Sequence, residues 1–391
     1  MDEPILYVDR KGTHCEKWDG LGERFGREDL LALWVADMDF RVPQCVLEAE
    51  KDYLDTGVFG YYHPSEGYYQ AFMDWEQERH GYSVQREWLR FSPGVVPAIN
   101  WLIQIFTKPQ DRVMVLTPVY YPFLHAVRDN DRTLVACQLV HQDGQYTVDL
   151  AAFEAALAEN QVRMFIMSSP HNPVSRVWRR EELTAMLDIC KKHGVLVLSD
   201  EIHQDLTFDG HKHIPSATAG DYSHMVITLT AASKTFNLAG CQNAFVVLPD
   251  AKLRKEYDAF TKRIHIREGN PFGYIAVEAA YRGGKAWLQQ VQEIIWNNYG
   301  YLREQLAIHL PKACVTPLEG TYLMWVDFAA YLQPEEMERF FEETCGIAVD
   351  YGAWFEGDGQ SHIRINLATS RENVEKAFSS ILQGLQAWGR I

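Results

Sequence analysis

The chain has 391 residues, and its 37 Lys and Arg against 53 Asp and Glu give a formal net charge of −16. Hydrophobic residues make up 47% and charged residues 23%, which is typical of a globular protein and excludes a disordered chain. The length predicts about two domains. Because an acidic surface repels phosphate backbones, general nucleic-acid binding is not expected.

Cysteine usage and the amino-terminal residues predict a cytoplasmic location. The seven Cys include no Cys-x-x-Cys pair, which argues against a disulfide framework and against a zinc site. The first residues, MDEPILYVDRKG, lack the basic start and apolar stretch of a signal peptide. No run of about 18 apolar residues predicts a membrane span. The HKH segment at 211–213 has no ligand partners at metal-site spacing, so we expect a solvated loop.

The middle of the chain alternates apolar runs with segments of helical period. Strands are predicted at 111–118, 133–140, 162–169, 195–202 and 225–230. Helices are predicted after the first of these strands, at 149–160, and from 180 to an end at Gly194. Strands that are apolar on both faces and are separated by helices indicate a parallel sheet covered by helices. The fold class is therefore predicted to be α/β.

The pattern of apolar residues changes near residue 270. Residues 272–310 follow a helical period almost throughout, and 321–328, 346–355 and 362–369 are predicted to form a small mixed sheet before a last helix at 372–388. Residues 1–42 show little strand periodicity and are expected to fold with this part. We therefore predict a large α/β domain at 43–285 and a smaller α+β domain made of 1–42 and 286–391.

Lys234 lies among small and hydroxyl residues in TLTAASKTFNLAG, directly after an apolar strand. A lysine desolvated in such a place has a lowered pKa, and its amine can attack a carbonyl group. An exposed loop lysine is an equally good interpretation of this segment alone.

Two further polar residues follow predicted strands. Asp200 comes after the apolar run VLVL, at the strand end where open α/β sheets bind ligands. A buried carboxylate there needs a cation, although Asp200 could instead cap the next helix. Asn172 precedes Pro173 at the end of another strand, where an Asn-Pro turn would also explain it.

Taken together, HNP with Asn172, SDEIH with Asp200 and SKTFNLAG with Lys234 resemble the fold-type I pyridoxal-phosphate enzymes of the aminotransferase class I and II superfamily. The resemblance implies a three-layer α/β/α fold with a mostly parallel central sheet, in which the large domain binds pyridoxal 5'-phosphate. It also implies that Lys234 carries the cofactor and moves the substrate Cα proton. Asp200 would keep the ring nitrogen protonated, and Asn172 would bind the ring's phenolic oxygen.

The phosphate of such a cofactor needs a binding site of its own. SPGVVPAINWLIQIF (92–106) opens a predicted helix, so the N–H groups of Gly94, Val95 and Val96 are candidates. A simple helix start after a Pro-Gly turn is the other interpretation. The resemblance adds Tyr120, which would stack on the cofactor ring with Tyr121 as a competitor, and Arg364, which would bind the substrate carboxylate unless it is a surface strand residue.

LWVADMDF (33–40) and VFGYYHP (58–64) resemble segments of the cystathionine β-lyase-like group often called MalY or PatB. In that group the first segment lines the substrate site near Ala36. The tyrosine that matches Tyr61 reaches the cofactor phosphate of the neighbouring subunit. The resemblance therefore implies a homodimer with shared active sites.

This chain departs from most aminotransferases at two positions. His203 stands where many relatives have a tyrosine at the phenolic oxygen, and Gln242 stands where many have an arginine at the phosphate. Both departures are shared with the lyase-like group. They leave the phosphate charge to backbone dipoles and to hydroxyls such as Ser233, with Thr230 a weaker candidate.

Three functions remain open from the sequence. A carbon–sulfur β-lyase that acts on a small amino acid is favoured by the ADMDF and DEIH segments. An aminotransferase would use the same residues. A cofactor-binding regulator without catalysis is disfavoured because Lys234, Asp200, Asn172 and Arg364 are all present.

Overall fold

The computed structural model describes residues 4–391. Its strands, in chain order, are β1 (Leu31–Ala32), β2 (Leu89–Ser92), β3 (Arg112–Thr117), β4 (Thr133–Gln138), β5 (Val140–Gln142), β6 (Gln145–Thr147), β7 (Met164–Ser168), β8 (Leu196–Asp200), β9 (Val226–Thr230), β10 (Ala244–Val247), β11 (Cys314–Val315), β12 (Leu323–Asp327), β13 (Ile347–Ala348), β14 (Asp350–Tyr351) and β15 (His362–Asn366).

The α-helices of the same residues are α1 (Glu16–Asp19), α2 (Leu21–Phe25), α3 (Gln44–Leu54), α4 (Glu66–His80), α5 (Val95–Phe106), α6 (Tyr121–Asp129), α7 (Leu150–Glu159), α8 (Arg180–His193), α9 (Ala232–Thr235), α10 (Ala251–Ile264), α11 (Pro271–Gly283), α12 (Lys285–His309) and α13 (Arg371–Ala387). Within this part of the chain, no helix combines the length and the apolar character needed to cross a bilayer.

A seven-stranded sheet in the order β2-β10-β9-β8-β7-β3-β4 forms the centre of the larger part. β10 runs antiparallel to both of its neighbours, and the strands from β9 to β4 are parallel. Apolar residues of α5, α6 and α10 cover one face, and those of α7 and α8 cover the other. The three-layer α/β/α fold with a mostly parallel sheet is therefore confirmed.

Local chemistry explains where the helices of this layer begin and end. The Asp149 carboxylate accepts the N–H groups of Ala151 and Ala152 and so caps the start of α7. Gly194 ends α8 in the left-handed conformation, with φ 66°, which glycine adopts without a steric penalty. The parallel strands between these helices are almost fully buried, which agrees with their apolar sequences.

The carboxyl-terminal part contains a second sheet in the order β11-β12-β15-β14. Its pairs are all antiparallel, so the prediction of a mixed sheet was wrong. The parallel pairing in this region belongs to a separate ribbon in which β1 lies beside β13.

Residues 4–42 contact both parts of the molecule. Asn366 of β15 donates to the carbonyls of Val35 and Asp37, both at 2.6 Å. Asn237, just after α9, donates to the carbonyls of Met38 and Phe40. The division into 43–285 and 1–42 with 286–391 stays a prediction.

The long helical segment after residue 270 is interrupted at Gly284, so α11 and α12 are separate helices. A Cβ at Gly284 would lie 2.5 Å from Cε1 of Phe236 and 2.6 Å from the carbonyl oxygen of Ala280. The chain therefore bends at a glycine that permits close contact with the segment carrying Lys234. Helical periodicity does not report such a bend, because the apolar pattern continues across it.

Candidate active site

The carboxyl ends of β7, β8 and β9 open into a cavity whose empty space, counted together with its solvent-open mouth, is about 820 Å³. This is the edge at which open α/β sheets bind ligands. Most of the predicted site residues lie in its wall: Ala36, Gly94, Val95, Val96, Tyr120, Asn172, Asp200, His203, Ser233 and Lys234. The two groups on which the predicted chemistry depends, the Lys234 amine and the Asp200 carboxylate, therefore share one cavity.

Lys234 lies in α9, and the amine at the end of its side chain is held by a hydrogen bond. Its Nζ donates to the carbonyl oxygen of Ala36 at 2.6 Å, and the hydroxyl of Tyr322 donates to the same oxygen at 2.6 Å. Burial lowers the pKa of Lys234 to about 8, with Arg364 acting in the same direction and Asp37 and Asp200 opposing it. A large fraction of this amine is thus neutral, and nucleophilic, at mildly alkaline pH.

Asp205 fixes the short helix that carries Lys234. Its Oδ2 accepts from Thr235 at 2.8 Å, and its Oδ1 accepts from Trp75 at 3.0 Å and forms an ion pair with Nε of Arg79 at 2.7 Å. Burial acts to raise its pKa, but the bond and charge of His80 and the charge of Arg79 lower the pKa to about 2. Asp205 is therefore an anion that ties α4, the end of β8 and α9 together.

Asp200 lies at the end of β8 and is buried. Its Oδ1 accepts the N–H of Ile202 at 3.1 Å, and no cation of residues 4–391 lies within ion-pair distance of it. Burial raises the pKa of Asp200 to about 7, Glu201 adds to this effect, and the Ile202 bond and the Lys234 charge oppose it. A carboxylate in this position favours a bound cation that faces it.

Arg364 does not line the cavity, but it is hydrogen-bonded to Asn172, which does. On β15 it lies opposite Asp350 of β14 and forms an ion pair with it, while its other terminal nitrogen donates to Oδ1 of Asn172 at 2.9 Å. Burial raises the pKa of Asp350 to about 6 against the lowering effect of Arg364. Asp350 was not predicted from the sequence, since only strand pairing reveals the contact.

The amino terminus of α5 and Ser233 both line the cavity. Thr230 is buried and donates to the carbonyl of Glu201 at 3.4 Å, and it does not line the cavity. Gln242 is exposed. The next residue, Asn243, was not among the predicted site residues, but it lines the cavity where Gln242 does not.

Three other residues lie elsewhere than the cavity wall. Tyr121 packs against Trp354 and Phe355, which leaves Tyr120 as the ring in the wall. Tyr61 is fully exposed. The solvated loop predicted at 211–213 was wrong for His213, which is buried and contacts Glu201 at 3.0 Å. Within residues 4–391, no three metal-ligating side chains are grouped as a metal site would require.

The cavity fits a flat cationic ring that bears an aldehyde and a phosphate. Lys234 offers an amine at one wall, and Asp200 offers a buried carboxylate without a cation at another. Neutral His203, whose pKa burial and the charges of Lys234 and Arg364 hold well below its usual range, and Tyr120 complete the walls. The helix terminus of α5 is a natural seat for phosphate.

Comparison with known proteins agrees with this geometry. Residues 28–381 match the aminotransferase class I and II family. The chain is 39% identical to cystathionine β-lyase PatB of Bacillus subtilis (strain 168) over 96% of this chain and 98% of that protein. Its structure is similar to that of cystalysin from Treponema denticola, which contains pyridoxal 5'-phosphate (TM-score 0.95, 32% identity, 99% and 100% of the chains covered).

A second solved structure, the pyridoxal-phosphate-bound C–S lyase of Staphylococcus hominis, aligns with a TM-score of 0.92 at 32% identity and covers 97% of each chain. These similarities extend over both parts of the molecule, so they concern the whole fold and not one shared motif. The chain therefore belongs to the aminotransferase class I and II family, in the group that contains the cystathionine β-lyase PatB.

Proposed function

We propose that this protein is a pyridoxal-phosphate-dependent carbon–sulfur β-lyase. It cleaves the Cβ–S bond of a small amino acid such as cystathionine or a cysteine S-conjugate and releases a thiol, pyruvate and ammonia. The observation that carries the proposal is the shared cavity of Lys234 and Asp200 in a chain 39% identical to a cystathionine β-lyase over nearly its whole length.

Bound pyridoxal phosphate supplies an electron-accepting ring that stabilises negative charge at the substrate Cα. Lys234 takes the Cα proton, because its amine is held in the cavity with a pKa of about 8. Asp200 would keep the nitrogen of the bound ring protonated. Asn172, held by Arg364 at 2.9 Å, would donate its amide N–H to the phenolic oxygen, and Tyr120 would pack on the ring.

Arg364 and the Ala36 segment orient the substrate. Arg364 lies behind the cavity wall with its terminal nitrogens on Asn172 and Asp350, and it offers the α-carboxylate its Nε–H, which has no partner within residues 4–391. The Ala36 carbonyl holds Nζ of Lys234 at 2.6 Å. A substrate that breaks this hydrogen bond frees the Lys234 amine inside the cavity, where it can take the Cα proton.

We also propose a homodimer in which Tyr61 reaches the phosphate of the partner subunit's site. In one chain Tyr61 is fully exposed, and its neighbours Val58 and Phe59 are exposed as well. A row of exposed apolar side chains is typical of an interface. A cytoplasmic location stays a prediction.

Product analysis with cystathionine tests the proposal. We expect pyruvate, ammonia and a free thiol in equal amounts without any added 2-oxo acid, and none of them from Lys234→Ala. Turnover that requires a 2-oxo acid and releases no thiol would make the protein an aminotransferase. Cofactor binding without either reaction would make it a binding protein and would contradict the proposal.

A further inference from the structure

Asn243 lies in the cavity wall and has no part in the mechanism above. It is 5% exposed, its Oδ1 accepts from the hydroxyl of Tyr68 at 2.7 Å, and its Nδ2 is buried with no hydrogen-bond partner within residues 4–391. An unpaired buried N–H group is costly. A ligand acceptor in the cavity would satisfy it.

The position of Asn243 indicates which ligand group that is. The same wall contains the start of α5 at Gly94 and Val95, together with Ser233. Lys234 is the one cation among the described residues of this wall. Because Lys234 is assigned to the cofactor aldehyde, a phosphate dianion placed here must be bound by the neutral donors of the wall.

Two helices fix the turn that carries Asn243. Tyr68 of α4 is fully buried and stacks on Phe245, with ring centroids 4.9 Å apart. On the other side α11 presents Gly273, where a Cβ would lie 2.5 Å from the carbonyl oxygen of Cys241 and 3.4 Å from Cβ of Asn243. The amide is thus held in place before any ligand arrives, which favours tight binding.

We propose that the side-chain amide of Asn243 is a phosphate-binding donor, oriented by Tyr68, which completes a seat for a phosphate dianion built from neutral groups. The other donors are the N–H groups at the start of α5, the hydroxyl of Ser233 and, in the proposed dimer, the hydroxyl of the partner subunit's Tyr61. This inference rests on the proposed function, since the dianion is the phosphate of the proposed cofactor.

The test compares pyridoxal phosphate with pyridoxal, which lacks the phosphate, as ligands of the full-length chain freed of cofactor. Absorbance titration gives Kd for each ligand. We expect Asn243→Ala to raise Kd for pyridoxal phosphate roughly 10- to 100-fold and to leave Kd for pyridoxal unchanged, because the lost bond is one to a charged group. Asn243→Asp, which brings an anion to the phosphate, should weaken binding more. Gln242→Asn is the matched control and should change neither value.

Tyr68→Phe provides an independent measurement, since it keeps the amide and removes only its hydrogen-bond partner. We expect Kd for pyridoxal phosphate to rise roughly 3- to 10-fold relative to pyridoxal. Circular dichroism of every variant confirms folding. If the Asn243 variants do not fold, the Tyr68→Phe ratio decides.

Equal losses for both ligands, or no loss for either, would overturn the inference. Failure of the proposed function gives a different result, because it is read from cystathionine, as the absence of thiol and pyruvate, and not from the ratio of the two Kd values. A chain that uses no such cofactor would bind neither ligand even when unmodified. A chain that binds pyridoxal phosphate more tightly than pyridoxal, with unchanged Asn243 and Tyr68→Phe variants, leaves the proposed function standing and rejects the role of Asn243.

Discussion

Burial brings the pKa values of Lys234 and Asp200, the two groups on which the proposed chemistry depends, closer together. It lowers the pKa of Lys234 to about 8 and raises the pKa of Asp200 to about 7. Each shift disfavours the charged form, since desolvation penalises charge of either sign. The cofactor-free cavity therefore holds two groups that are partly neutral near neutral pH, and a ligand that brings a cation to Asp200 restores its charge.

Replacing Asp200 with Asn should stabilise the cofactor-free chain while it removes activity. The pKa of Asp200 is raised from its usual 3.8 to about 7, so between these values the folded state holds a proton that the unfolded state has lost. Stability therefore falls as pH rises through this range. Asp200→Asn keeps the acceptor for Ile202 and avoids this loss, which we expect to be worth roughly 1–3 kcal/mol at pH 8.

Urea unfolding of both cofactor-free proteins between pH 4 and pH 8 measures the difference. The gain in stability should shrink toward pH 4, where Asp200 is protonated in the folded state. A gain that is the same at both ends of the range, or a less stable variant at pH 8, would contradict the assigned cause. Lyase activity of the loaded variant should fall by at least about 100-fold, since a neutral amide does not hold the ring nitrogen protonated.

At the scale of elements, the four-residue helix α9 is too short to be stable alone, so its position depends on what holds it. The hydroxyl of Thr235 donates to Asp205 at 2.8 Å. We expect Thr235→Val to lower the free energy of unfolding by about 1–2 kcal/mol, because a buried carboxylate loses a donor. It should also raise the pH at which the rate of cofactor uptake by Lys234 is half-maximal, since a looser α9 exposes the amine to water.

Thr235→Ser is the matched control, because it keeps the hydroxyl and removes only a methyl group. It should retain the pH profile of the unmodified chain. Stopped-flow absorbance with pyridoxal phosphate at several pH values gives the profile. Identical profiles for the Val and Ser variants would mean that the bond to Asp205 does not position Lys234.

The bend between α11 and α12 permits a second prediction at this scale. Gly284→Ala places a Cβ 2.5 Å from the ring of Phe236, and we expect a loss of about 1–3 kcal/mol. Gly300 lies exposed within α12, with nothing within 4 Å of its built Cβ. Gly300→Ala should therefore stabilise the protein by about 0.5–1 kcal/mol. Thermal unfolding distinguishes the two, and an equal effect of both substitutions would show that the close contact is unimportant.

The helices and strands that short stretches of sequence determine could be predicted. The strand predicted at 225–230 is observed at Val226–Thr230, and the helix predicted to end at Gly194 does so. Asp350 and Asn243 escaped prediction because their importance arises from contacts with residues distant in sequence. The antiparallel order of the second sheet escaped for the same reason, since strand periodicity does not report which strands pair.

At the scale of the whole molecule, a single chain supplies Lys234, Asp200 and Asn172 to the wall of the cavity. Tyr61 is the one predicted contributor that points to a second chain. It follows α3 in a segment where Val58 is 70% exposed, whereas most side chains of this size are buried. Apolar exposure of this kind is expected to be covered in the functional assembly.

Val58→Asp should therefore convert a dimer into a monomer. Two charges brought into an apolar contact remain desolvated and unpaired, which costs several kcal/mol. Light scattering at micromolar concentration should give twice the chain mass of 45.0 kDa for the unmodified protein and the single chain mass for the variant. Ile308→Asp is the control, because Ile308 is 61% exposed on α12, outside this segment. If the partner's Tyr61 binds the phosphate, the monomer must also lose affinity for pyridoxal phosphate but not for pyridoxal. A monomeric variant with full affinity for pyridoxal phosphate would show that the partner subunit does not contribute to cofactor binding.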